Sequence, residues 1–142
     1  MSYDLKLENG DLVLDNTGDL ALVYDNDKLM QDLLKMLMTP INGNKMFPWY
    51  GSDVSGILIG SNYEIGFNKD VAAEHIRTAI ENIKMLQQDQ AKSQYVSPAE
   101  TIAAIKEIYI NTNTTDPRVI EVKVSVITGA LTKTDVRFRV KL

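Results

Sequence analysis

Gly18-Asp19-Leu20-Ala21-Leu22-Val23-Tyr24, then a helix-patterned segment over 26–38, then Thr39-Pro40-Ile41 and Phe47-Pro48-Trp49-Tyr50-Gly51-Ser52 decide how this chain is read. Leu20, Leu22 and Tyr24 alternate with other residues, as in a strand with one apolar face. Asp25 suits a helix N-cap and Asp27 the first turn, where a carboxylate meets the positive end of the helix dipole. Leu29, Leu33, Met36 and Leu37 recur every three or four residues, so 26–38 reads as an amphipathic helix. Thr39-Pro40 ends it, because the residue before proline is pushed out of the helical region. Residues 39–52 are irregular and rich in proline, glycine and aromatic rings. Trp49 and Tyr50 offer rings that could stack on a ligand, but beside Pro48 and Gly51 they are expected to pin this loop to the core.

Upstream, Leu5 and Leu7 alternate, Asn9-Gly10 gives a hairpin turn, and Leu12 and Leu14 alternate on the return. Asn16-Thr17-Gly18 turns the chain into the Leu20–Tyr24 strand. The reading is an antiparallel β-meander with one leucine face. Downstream, Ile57-Leu58-Ile59 is a short apolar run that periodicity leaves unassigned. Lys69 to about Tyr95 carries Ala72, Ile76, Ala79, Ile80, Ile83 and Leu86 as one stripe, a long helix. The stripe stops at Leu86, and Gln87 to Gln94 is polar. That half of the helix either frays or joins a bundle with other chains. Ser97-Pro98-Ala99-Glu100 breaks the helix. From about Ile102 the pattern becomes β-like, with Ile108 and Ile110, 111–117 is a loop, and Ile120, Val122, Val124 and Val126 alternate. Val136, Phe138, Val140 and Leu142 alternate as a last strand. The expected fold is α+β: an N-terminal β-meander, one short and one long helix, and a C-terminal β-hairpin with an open edge strand, in a single domain over 1–142.

Composition narrows the function. The chain has no cysteine and one histidine, His75, so thiol chemistry and thiolate zinc sites are excluded and only oxygen ligands are left for a metal. His75 sits beside the apolar stripe, as a boundary residue rather than part of a triad. Asp25-Asn26-Asp27 and Asp15-Asn16-Thr17-Gly18-Asp19 lack the spacing of a calcium loop and suit turns and caps. Gly56, Gly60 and Gly66 do not make a phosphate-binding loop. No catalytic residue, cofactor or metal is expected. No run of apolar residues is long enough to span a bilayer, and no signal-peptide pattern opens the chain, so a soluble protein made in the cytoplasm is expected. The net charge of −4 argues against nucleic acid. The charge is also uneven. Residues 1–27 hold seven acids (Asp4, Glu8, Asp11, Asp15, Asp19, Asp25, Asp27) against Lys6, and 117–142 hold six bases against Glu121 and Asp135. Such asymmetry suits either two solvated faces or head-to-tail contacts between subunits. A terminal strand with an open edge suits addition of a strand from another chain, with Arg137, Arg139 and Lys141 either guarding the edge or setting its register.

Taken in order, Gly18-Asp19-Leu20-Ala21-Leu22-Val23, Leu29-x-Gln31-Asp32-Leu33, Leu37-Met38-Thr39-Pro40 and Pro48-Trp49-Tyr50-Gly51-Ser52 resemble the baseplate wedge proteins of contractile phage tails, the sheath initiators. The resemblance runs from about Asp11 to the C-terminus. It implies an α+β, non-enzymatic component of the virion tail baseplate, assembled in the host cytoplasm. It implies two groups of partners, the tail sheath protein and larger baseplate wedge proteins, with no nucleic acid and no membrane. The C-terminal strand, Val136, Arg137, Phe138, Arg139, Val140 and Lys141, would pair with the sheath protein. Ile83, Leu86, Gln87, Gln90, Gln94 and Pro98 would join a core helical bundle with the wedge proteins. The family's Glu-Pro-Arg after the long helix is replaced here by Ser97-Pro98-Ala99, which keeps only the proline, and Asp116-Pro117-Arg118 is turn chemistry elsewhere in the chain. Two other readings compete: a cell-wall hydrolase using a carboxylate pair such as Asp53 and Glu64, and a small adaptor that binds one protein partner.

Overall fold

The computed structural model describes residues 2–59 and 65–141. Two short antiparallel pairs open the fold. β1 (Asp4–Leu5) pairs with β4 (Leu22–Val23), and β2 (Leu7–Glu8) pairs with β3 (Asp11–Leu12). Asn9 (φ 53°) and Gly10 (φ 84°) make the turn expected of them, since both lie in the left-handed region that a two-residue hairpin loop requires. At the second turn the Asp15 carboxylate accepts the backbone N–H groups of Thr17 and Asp19 and the Thr17 hydroxyl. The pieces do not form a flat meander. Lys6 N–H donates to Ala21 C=O, Ala21 N–H to Val13 C=O, and Val13 N–H to Lys6 C=O, so three segments close a ring of backbone hydrogen bonds. The leucines predicted to form one face of the meander do not join the core. Leu5, Leu7, Leu12, Leu14, Leu20 and Leu22 all remain exposed.

α1 (Asp25–Met38) matches its predicted span within one residue. Its start differs from the capping expectation. Tyr24 is the N-cap and makes no side-chain cap, and Asp25, the first helical residue, accepts a hydrogen bond from Ser97 Oγ on its carboxylate. Thr39 ends the helix in extended geometry, as the next residue, a proline, requires. Leu29, Leu33, Met36 and Leu37 are at most 1% exposed, and burial of each side chain contributes roughly 1.5–3 kcal/mol. The 39–52 loop closes on this helix. Ser52 N–H donates to Thr39 C=O and Ser52 Oγ to Leu37 C=O. Gly51 (φ 118°) is required there, since a Cβ would lie 2.4 Å from Thr39 O. Of Trp49 and Tyr50, expected to pin the loop, Tyr50 packs against the core, whereas Trp49 is exposed and meets Phe47 edge to face at the surface.

The unassigned Ile57-Leu58-Ile59 run belongs to a short helix, α2 (Val54–Ile59). α3 (Ile65–Ala91) starts four residues before the predicted helix and ends four before its predicted end. Ala72, Ile76, Ala79, Ile80 and Ile83 are buried as the stripe requires. A single 3-10 turn (Pro98–Glu100) leads into a three-stranded antiparallel sheet ordered β5 (Ile102–Thr112), β6 (Val119–Thr128), β7 (Lys133–Lys141). The predicted C-terminal hairpin is therefore β6–β7, with β5 as a third strand. One face of the sheet, including Val122, Val124, Val126, Val136, Phe138 and Val140, packs under the helices. The other face carries the cross-strand rows Tyr109–Lys123–Arg137 and Asn111–Glu121–Arg139.

The polar end of α3 is neither frayed nor empty. Gln87 is buried. Its Nε2 donates to Glu100 C=O at 2.7 Å and its Oε1 accepts Ile102 N–H at 3.0 Å. One amide thus acts as a strand partner for the start of β5. Gln87→Ala leaves both backbone groups buried without partners, and each such loss costs about 1–3 kcal/mol. Stability measured by urea unfolding is expected to fall by roughly 2–4 kcal/mol.

Candidate partner-binding surfaces

The sheet has two edges of different quality. β5 pairs with β6 through two register shifts, between Ile102 and Ala104 and between Ile105 and Glu107. Bulges of this kind twist an edge and blunt it. β7 pairs with β6 without interruption from Lys133 to Lys141. The turn sets the direction of its free backbone groups. Thr128 N–H donates to Thr132 C=O at 2.9 Å, which makes that pair hydrogen-bonded. Antiparallel pairs alternate, so Thr134, Val136, Phe138 and Val140 turn their N–H and C=O toward β6. Lys133, Asp135, Arg137, Arg139 and Lys141 turn theirs outward. The opposite side of β6 agrees, because Val119 C=O accepts Asn113 N–H of the β5 side. Val136, Phe138 and Val140 are buried and fasten the strand, while Arg137, Arg139 and Lys141 are exposed.

Charge on this strand is partly neutralised. Arg139 lies 3.3 Å from Glu121, and Asp135 receives Ser125 Oγ at 2.7 Å with Lys123 and Lys133 nearby. The hydrogen bond from Ser125, helped by the charges of Lys123 and Lys133, outweighs burial and holds the Asp135 carboxyl below its usual range. Among the described residues Arg137 and Lys141 form no ion pair.

The second surface is a groove of about 490 Å³ between the N-terminal strand, α1 and the C-terminal half of α3. Ile83, Leu86, Gln87 and Gln90 all line it, so four of the six residues named for the helical bundle come together. Their roles differ. Ile83 is buried in this chain's own core and Gln87 is occupied by Glu100 and Ile102. Gln90 Nε2 donates to Ser2 Oγ at 2.8 Å. Leu86 is exposed in the groove. Gln94 and Pro98 lie beyond it, both exposed.

An ionic clamp closes one wall of that groove. Lys35 Nζ contacts Asp4 and also Asp32, the latter at 3.2 Å, and Lys28 Nζ lies 2.7 Å from Asp32. Gln31 completes the clamp. It donates to Asp4 Oδ2 and to Leu5 C=O and accepts Leu7 N–H. Burial pushes the Asp4 carboxyl up, but Lys35, Gln31 and the Leu5 N–H outweigh it, and the net shift is downward. Burial likewise opposes the charge on Lys35, and its contacts with Asp4 and Asp32 raise its pKa overall. Burial raises the Tyr50 phenol.

Sequence reasoning missed two exposed apolar surfaces. One is the set of six leucines on the N-terminal module, whose alternation is the same whether that face meets a core or solvent. The other is Met46, Phe47 and Trp49 on the 39–52 loop. For the hydrolase reading, Asp53 is an exposed residue just before α2, and Glu64 lies outside the described residues, as does Leu142 of the last strand. His75 is half-buried on α3. Among the described residues no group of three or more His, Cys, Asp or Glu is placed to hold a metal ion, and no helix is long and apolar enough to cross a membrane.

A family model described as the contractile injection system sheath initiator matches residues 1–98. No curated protein and no solved structure matches the chain. The family match takes in the N-terminal module, α1 to α3 and the whole Asp4–Lys35 clamp, and it stops before β5.

The clamp sets a pH dependence. The Asp4 pKa is lower folded than its usual 3.8, so its contribution is present above that value and lost as pH falls through the folded one. Lys35 is raised above 10.5, so its contribution holds below that pH and is lost as pH climbs through the folded value. Asp4→Asn is expected to melt at a lower temperature than wild type at pH 7, with a narrower gap at a pH well below the usual 3.8. An equal gap at both pH values, read by thermal unfolding, contradicts the assignment.

Proposed function

This chain belongs to the contractile injection system sheath initiator family, and from that premise we propose that it starts the sheath by offering the outer edge of β7 to a strand of the first sheath subunits. Family membership makes it a structural component of a contractile tail that meets the sheath and other tail parts. The finer reading rests chiefly on one observation: β7 is the sheet's regular edge, whereas β5 is bulged. Strand addition takes its affinity from main-chain hydrogen bonds and its specificity from side chains. The outward N–H and C=O groups of Arg137, Arg139 and Lys141 supply the first. Their side chains, on the exposed face of the sheet, supply the second. Val136, Phe138 and Val140 contribute rigidity, because an edge anchored in a core is already ordered before the partner arrives.

On the same reading, the α1–α3 groove receives helices of larger baseplate wedge proteins. Leu86, Gln94 and Pro98 are exposed to meet them. Ile83, Gln87 and Gln90 hold α3 and the N-terminus in position. The baseplate end of the tail is then the site of incorporation, and the chain acts through assembly rather than chemistry.

A proline on the edge separates this reading from a general requirement for the sheet. Arg139→Pro removes one outward N–H and leaves the β6 ladder intact, since proline is tolerated where the N–H faces away from the sheet. The variant is expected to keep a melting temperature near wild type and to yield baseplates without sheath, seen by electron microscopy. Arg139→Ala, which keeps the N–H, is expected to assemble sheath. Normal sheaths on the proline variant overturn the proposal.

A further inference from the structure

We propose that the strand received by β7 carries a carboxylate side chain opposite Arg137, with an apolar residue on each side of it. This rests on the strand-addition reading and gives its partner a chemistry.

The alternation of β7 decides which side chains an incoming strand meets. A strand added to β7 lies about 5 Å beyond it, and a residue paired with Arg137 projects from the same face of the sheet. Lys133, Asp135, Arg137, Arg139 and Lys141 share that face. The two neighbours of the paired residue project from the opposite face, beside Val136 and Phe138, which are buried on the side that α1 and α2 cover. Apolar side chains there extend an existing core.

The cations of the outer face are unequally used. Lys123 and Lys133 lie 3.7 and 3.4 Å from Asp135, whose carboxylate also accepts Ser125 Oγ. Arg139 lies 3.3 Å from Glu121, which also accepts Asn113 Nδ2 at 2.8 Å. Arg137 and Lys141 have no ion pair among the described residues. Arg137 is the one at the middle of the strand, and directly across the ladder from it stands Lys123. Like charges placed so weaken a strand pair. The row Tyr109–Lys123–Arg137 therefore ends at the open edge on an unneutralised cation. A carboxylate in the next position of the row gives it an opposite charge, whereas a lysine or arginine sets three cations side by side.

Charge also fixes where along β7 the acid sits. A shift of the incoming strand by one residue turns the acid to the buried face. A shift by two toward the β6–β7 turn sets it against Asp135, a like charge. A shift by two the other way sets it against Arg139, which Glu121 already holds. One acid thus selects one register.

Peptides as long as β7, which spans Lys133–Lys141, test this by fluorescence polarisation with the full chain. Arg137 is the middle residue of the strand, so the middle residue of a peptide in full register meets it. The peptides alternate threonine and valine and differ only at that middle position, which is glutamate, threonine or lysine. The glutamate peptide is expected to bind roughly fivefold more tightly than the lysine peptide at about 50 mM salt, with the threonine peptide between them. The difference is expected to shrink at about 500 mM salt. Arg137→Ala is expected to remove the preference while still binding the threonine peptide, and Arg137→Glu to invert it. Arg139→Pro is expected to lose all the peptides, since it removes an edge N–H. Equal binding by wild type, or a preference for lysine, with binding lost in Arg139→Pro, overturns the proposal of a carboxylate and leaves strand addition standing. A glutamate preference that survives in Arg139→Pro puts the contact away from the edge and overturns the proposal too. No binding of any peptide up to about 1 mM overturns both.

Discussion

The burial of one side of α1 is the constraint on which the rest of the molecule depends. Leu29, Leu33, Met36 and Leu37 lock the helix between the sheet and α3. Once it is locked, its polar residues become fixed anchor points. Asn26 receives the hydroxyl of Thr134 on β7, and Asp25 receives that of Ser97 before the 3-10 turn. Gln31 and Lys35 hold β1, and the carbonyls of Lys35 and Leu37 hold Thr39 and Ser52. Each anchor is a modest interaction, worth about 1 kcal/mol where both groups are neutral and about 1.5–3 kcal/mol where one is charged. They act together because the helix cannot rotate without exposing its apolar side.

That arrangement decides which surfaces are left for partners. The helices cover one face of a three-stranded sheet, so the other face and both edges stay open. The β5 edge carries its own blunting in the form of register shifts. The β7 edge does not, and its charged side chains leave the backbone groups beside them available. The N-terminal module is held to α1 by polar contacts together with the buried Val23, while its leucines stay exposed. An element attached through Asp4, Gln31 and Lys35 keeps its apolar surface for something else.

Much of the local architecture is legible in the chain. Asn9-Gly10, the α1 span, the stripe on α3 and the alternation of β6 and β7 depend on neighbours within a few residues, and each lies at or close to the place its pattern predicts. The ordered motifs from Gly18 to Ser52 likewise point to the family. The differences share one cause. Asp25 has the chemistry of a cap because capping is local, yet Ser97, seventy-two positions away, takes its carboxylate. Gln87 looks idle in the sequence because an amide on a helix carries no signal that Glu100 and Ile102 will need a donor and an acceptor. Trp49 looks like a core residue because composition cannot tell a ring that faces inward from one that faces out.

The sequence by itself determined the element types, the turns and the side-chain alternation, since these arise from backbone sterics and short-range periodicity. It also determined the division of charge between an acidic beginning and a basic end. Tertiary structure alone decided which faces those elements bury. Only the folded chain sets three leucine pairs outside the core, buries Gln87, and makes β7 the unbulged edge with the backbone of Arg137 and Arg139 turned outward. The physical reason is that alternation specifies two faces of a strand but not which one meets the core, and that choice is made by contacts between residues far apart in the chain.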